Sequence, residues 1–120
     1  MIGRVDEEGR ALVTIRIGAA NNALVHEVDV WVDTGFNGDL VLPKVYIDEL
    51  NLPHAGTAKA VLADGSEVSL KVHLCTIEWF GEIRELNVVA NDGSNPLLGV
   101  GLRIGRDLRV SYRGMTVAIE

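Results

Sequence analysis

The sequence predicts an all-β fold, and three observations predict it. Apolar residues fall in short runs rich in Val, Ile and Leu that partly alternate with polar ones, the period of a half-buried strand. The runs are punctuated by turn-forming pairs, Asn21-Asn22, Asp64-Gly65 and Arg113-Gly114. Helical spacing is confined to short segments.

Taken in order, ALVTIRIGA (11–19) and ALVHEVDVWV (23–32) read as two β-branched strands joined by a hairpin turn at Asn21-Asn22. LVLP (40–43) is a third, short strand. PKVYIDELNLP (43–53) opens with Pro and spaces Val45 and Leu50 helically, which predicts one short helix ending before Pro53. Across 57–81 two alternating arms flank Asp64-Gly65, a dipeptide suited to the positive φ angles of a tight hairpin turn. IRELNVVA (83–90) predicts another strand, and NDGSNP (91–96) is a loop by composition. LLGVGLRIG (97–105) is a glycine-broken apolar segment that opens a short helix. DLRVSYRGMTVAIE (107–120) predicts a last hairpin turning at Arg113-Gly114. The total is about seven or eight short strands with one or two short helices, a mostly-β barrel or sandwich. With 120 residues and no repeat or linker, one domain spanning 1–120 is expected.

Composition narrows the function. A formal net charge of −6 argues against a nucleic-acid partner, because phosphate binding needs clustered Lys and Arg. Arg103, Arg106, Arg109 and Arg113 gather near the C-terminus but alternate with apolar positions, as a solvated face does. The one cysteine, Cys75, cannot form an intrachain disulfide, so the fold does not depend on an oxidising compartment. No apolar run approaches the roughly 18–20 residues that span a bilayer, and MIGRVDEEGR lacks the apolar core of a signal peptide. No membrane association and a cytoplasmic location are expected.

Chemistry concentrates at VDTGFNGDLVLP (32–43). A strand delivers Asp33 at its end, Thr34 offers a hydroxyl, and Gly35 permits a sharp loop that leaves the carboxylate unobstructed. A carboxylate at the mouth of an apolar strand costs desolvation unless it is hydrogen-bonded or shares a proton. Downstream lie the Asp64-Gly65 hairpin and then Leu97-Leu98-Gly99.

This order resembles the retropepsin-like aspartic proteases, and more closely their small bacterial and archaeal members. In that subgroup D-T-G continues into F-x-G and a short L-x-L-P strand, here Asp33-Thr34-Gly35-Phe36-Asn37-Gly38 and Leu40-Val41-Leu42-Pro43. The resemblance extends through Leu62-Ala63-Asp64-Gly65 and Leu97-Leu98-Gly99-Val100-Gly101-Leu102 and covers about residues 10–120. It implies a closed acid-protease barrel and an aspartic endopeptidase acting on peptide or protein substrates without metal or cofactor. By that resemblance Asp33 is the catalytic acid, Thr34 grips the partner's loop, and Gly35 lets backbone approach the carboxylate. Phe36, Ala63, Asp64 and Gly65 contact substrate, the last three as a closing flap, and Leu97, Leu98 and Gly99 support the loop. The family's chain ends interleave into a shared sheet, a role MTVAIE (115–120) fits. Phe36 stands where viral and cellular members carry Ala or Ser, and a non-catalytic peptide-binding or dimerisation module on the same fold is the alternative it keeps open.

The chemistry independently demands a second copy. Acid–base hydrolysis of this type needs two carboxylates about 3 Å apart sharing one proton. The chain holds one D-T-G; Asp64 and Asp92 also precede glycines, but neither is followed by the needed loop. The second carboxylate is therefore expected from Asp33 of another copy in a homodimer. Elsewhere, His73 and Cys75 share a strand face but have no further ligands to make a metal site. Asp29 and Asp39 read as solvated, and Trp31 and Trp79 as core or interface fillers.

Overall fold

A computed structural model describes residues 1–19, 24 and 26–120. The turn expected at Asn21-Asn22 lies outside the described residues. Among those described, the apolar runs form ten strands: β1 (Ile2–Val5), β2 (Ala11–Gly18), β3 (His26–Val32), β4 (Leu40–Pro43), β5 (His54–Val61), β6 (Glu67–Trp79), β7 (Glu82–Asn91), β8 (Leu97–Leu98), β9 (Leu108–Ser111) and β10 (Thr116–Ile119). One helix, α1 (Lys44–Glu49), follows Pro43 where the sequence places it.

Six strands close on themselves. β2 pairs antiparallel with β3, β3 parallel with β8, β8 antiparallel with β4, β4 parallel with β7, β7 antiparallel with β6, and β6 antiparallel with β2. Alternation along β2 and β3 sends Val13, Ile15, Ile17, Val28, Val30 and Val32 into this barrel. LVLP does not alternate, and its four residues are all buried, because β4 has a neighbour on each edge and apolar side chains over both faces.

The expected short helix at 97–105 is only partly formed. Leu97 and Leu98 are instead strand, inserted between β3 and β4, and helical geometry is limited to a single 3-10 turn, Val100–Arg103. Pairing on two sides outweighs the local preference of two leucines for helix.

At the Asp64-Gly65 turn the positive φ falls on Gly65 and not on Asp64, at +85°. The Leu62 carbonyl accepts from Gly65 N–H, and Leu62 N–H donates to the Ser66 carbonyl, leaving a three-residue loop rather than a two-residue turn. In the last hairpin Met115, not Gly114, takes the positive φ, at +58°.

β1 has little strand signature in sequence. It pairs with β2 and β10, and a Cβ at Gly3 would overlap the Leu12 carbonyl oxygen, so glycine is what lets the strands approach. This pairing corrects the expectation that MTVAIE is offered to a partner. β10 lies between β1 and β9 of its own chain, and both its edges are bonded. Among the described residues the terminal strands of the sheet are β9, next to β10, and β5 at the other end.

Candidate active site

Asp33 follows β3 on the outward parity of the strand, with Asp29 and Trp31, and is half-buried. Its backbone N–H donates to the Leu98 carbonyl at 2.9 Å, which extends the β3–β8 ladder by one residue. Gly35 N–H then donates to Asp33 Oδ1 at 2.8 Å, a local turn that orients the carboxylate along the loop. Thr34 and Gly35 are exposed beside it.

Leu97-Leu98-Gly99 and the residues after it clamp this loop. Gly99 N–H bonds the Asp39 carbonyl at 2.9 Å, Val100 N–H the Phe36 carbonyl at 2.7 Å, and Gly101 N–H the Gly38 carbonyl at 3.0 Å. Gly99 is obligatory, since a Cβ there would overlap the Gly38 carbonyl oxygen and press on the Phe36 ring. A Cβ on Gly38 would also strike that ring, at 2.5 Å. The bulk of Phe36 is thus absorbed by two glycines, and its ring braces the loop as well as facing the cleft.

Arg103 completes the clamp and corrects the reading of a solvated arginine face. It is buried, and it donates to the backbone carbonyls of Asp33 and Gly99. Burial pulls its guanidinium below the ordinary arginine value, opposed by the Asp33 carboxylate. Arg106 lies 3.3 Å from the centroid of the Phe80 ring, while Arg109 and Arg113 are exposed as expected. The one cue in the sequence, an arginine four residues after Gly99, does not set Arg103 apart from its exposed neighbours.

Beside the loop opens a cavity of about 650 Å³. Phe36, Leu40 and Leu97 form its loop wall, and Ala58 of β5 with Leu70 and Val72 of β6 face them. The expected flap residues Ala63, Asp64 and Gly65 sit exposed at the hairpin tip, outside this lining; the arms of the hairpin line it instead. Asp64 is used in the turn, where the Ser66 hydroxyl and backbone N–H hold its carboxyl below the usual range.

The other candidates are placed apart from the loop. A second cavity of about 370 Å³ lies between α1 and β6, and His73 Nδ1 and Asn91 Oδ1 are buried there with no hydrogen-bond partner among the described residues. Burial, with His54 and Lys71 nearby, keeps His73 below the usual imidazole value. Cys75 is fully buried, which pushes its thiol up to about 11 and leaves it unreactive at neutral pH. Among the described residues no cluster of three or more His, Cys, Asp or Glu is placed to hold a metal ion. Asp29 is not free, being bonded by Arg4 and Thr14, and Asp39 is half-buried. Trp79 is core, whereas Trp31 is exposed beneath the Arg10 guanidinium. None of the described helices is long and apolar enough to cross a membrane.

This barrel, with its inserted β8 and its overhanging hairpin, superposes on a retropepsin-like aspartic protease from Rickettsia conorii with a TM-score of 0.67. The fold is retropepsin-like. That match has 18% identity and covers 99% of this chain and 88% of the other. The EIAV protease, in complex with the inhibitor HBY-793, matches with a TM-score of 0.57 and 19% identity over 83% of this chain and 90% of the other. No protein-family model matches the sequence, and no curated protein does.

Proposed function

We propose that this protein is an aspartic endopeptidase whose active site is completed by a second copy of the chain. The observation that carries the reading is Asp33 itself, a carboxylate oriented by Gly35 N–H at the end of β3, on a loop clamped by Gly99 and Val100 in a retropepsin-like barrel. Asp33 and Asp33 of the second copy share one proton. The ionised carboxylate takes a proton from water as the water oxygen attacks the scissile carbonyl carbon, and the protonated one gives its proton to the carbonyl oxygen. The resulting gem-diol collapses as a proton passes to the amide nitrogen, the C–N bond breaks, and acid and amine leave.

Thr34, exposed beside the acid, reaches the second copy's loop in this arrangement, and Leu97, Leu98 and Gly99 hold the loop from below. An extended peptide lies between the loop and the β5–β6 hairpin, pairing its backbone with strand edges and seating an apolar side chain in the 650 Å³ cavity. Because both edges of β10 are bonded within the chain, the copies meet through the exposed loop and other surfaces rather than by exchanging C-terminal strands.

The test is cleavage of a diverse peptide library from about pH 4 to 7 by wild type and Asp33→Asn, at concentrations that favour a dimer. Cuts by the wild type alone, with a bell-shaped pH profile, are expected, since the pair works only while it holds one proton. Peptides bound equally by both proteins and cut by neither would instead make this a peptide-binding module.

A further inference from the structure

Arg103 lies beneath the loop with only 8% of its surface exposed. Its Nη2 donates to the Asp33 carbonyl oxygen at 2.7 Å and its Nε to the Gly99 carbonyl oxygen at 3.1 Å. Among the described residues no carboxylate is in ion-pair contact with it. A full positive charge is therefore held inside the protein by two backbone dipoles, an arrangement that costs desolvation energy and that an apolar side chain of similar volume would avoid.

What the charge touches gives the cost a purpose. One carbonyl belongs to the residue that bears the acid, and the other to the glycine against which the acid's loop packs. A planar guanidinium presents its donors in a rigid fork, so holding both carbonyls fixes one relative to the other; a lysine ammonium is a point charge on a flexible stem and does not. Asp33 is thus held at three points, by N–H to Leu98, by C=O to Arg103, and through its side chain by Gly35 N–H.

We infer, building on the peptidase reading above, that Arg103 is a positioning residue for the reaction: it fixes the Asp33 peptide plane against Gly99 and so sets where the carboxylate meets water and its partner acid. It touches no substrate. Its loss displaces the acid without emptying the cleft, so turnover suffers while substrate binding is kept.

The experiment measures kcat and KM on a cleaved peptide for wild type, Arg103→Met, Arg103→Lys and Arg103→Ala, with melting temperature and sedimentation of each. Arg103→Met should lose about 10- to 100-fold in kcat with KM within about twofold. Arg103→Lys, which keeps the charge, should recover only part of that loss. Added guanidinium at millimolar levels should raise the rate of Arg103→Ala and leave wild type unchanged. Wild-type turnover in Arg103→Met would overturn the role, as would a loss that tracks the unfolded fraction and vanishes on cooling. Should Arg103→Met not fold, full wild-type kcat in Arg103→Lys would overturn it equally. A wild type that cleaves nothing would sink the peptidase reading, and this role with it, whereas cleavage undiminished in every Arg103 variant would sink this role alone.

Discussion

Gly99 has no room for a side chain. Its missing Cβ is the space into which the Gly38 carbonyl and the Phe36 ring fit, so Gly99→Ala forces the loop away from β8. We expect a loss of about 1–3 kcal/mol, read as a lower denaturant midpoint with unchanged slope, and loss of any activity that depends on Asp33. At this scale the sequence was legible where a residue's role is local. Gly99 could be named in advance as packing beneath the loop, and the space left by its missing Cβ is filled accordingly; Asp33 falls at the strand end where the pattern puts it. Arg103 was not legible, because its alternation with apolar neighbours is the same pattern that a solvated strand face produces. Only the loop seventy residues earlier in the chain reveals what it holds.

Among the elements, the β5–β6 hairpin has no buried residue from His54 to Leu74, and its tip turns on one left-handed residue, Gly65 at φ +85°. Gly65→Ala adds strain of about 1 kcal/mol there and nowhere else. Amide hydrogen exchange should accordingly run roughly fivefold faster across β5 and the start of β6, with the exchange of β2 and β3 unchanged. Uniform acceleration over the whole chain would show that the hairpin does not open on its own. Elements with a strong period, β2, β3, β6 and β7, were readable from sequence to within a few residues. β1 and β8 were not: one owes its pairing to a glycine that admits the Leu12 carbonyl, and the other to neighbours on both sides of a two-residue stretch.

For the whole molecule, closure of six strands, β8 among them, places one presented carboxylate at the surface of each chain, together with an apolar cavity beneath the β5–β6 hairpin. The barrel class was within reach of periodicity, but its closure was not, since it rests on the parallel β3–β8 and β4–β7 pairings between segments far apart in sequence. The chain ends were misread for a related reason: an alternating terminal strand looks the same whether its neighbours belong to its own chain or to another. The central claim is that catalysis needs Asp33 from two copies. The most direct measurement holds wild type at a fixed concentration that supports dimers and follows peptide cleavage while Asp33→Asn is added in increasing excess. The shared site predicts that activity falls toward zero as wild-type chains are drawn into mixed dimers, with about half remaining at an equal mixture. Activity that stays constant throughout would contradict it, because each chain would then be working alone.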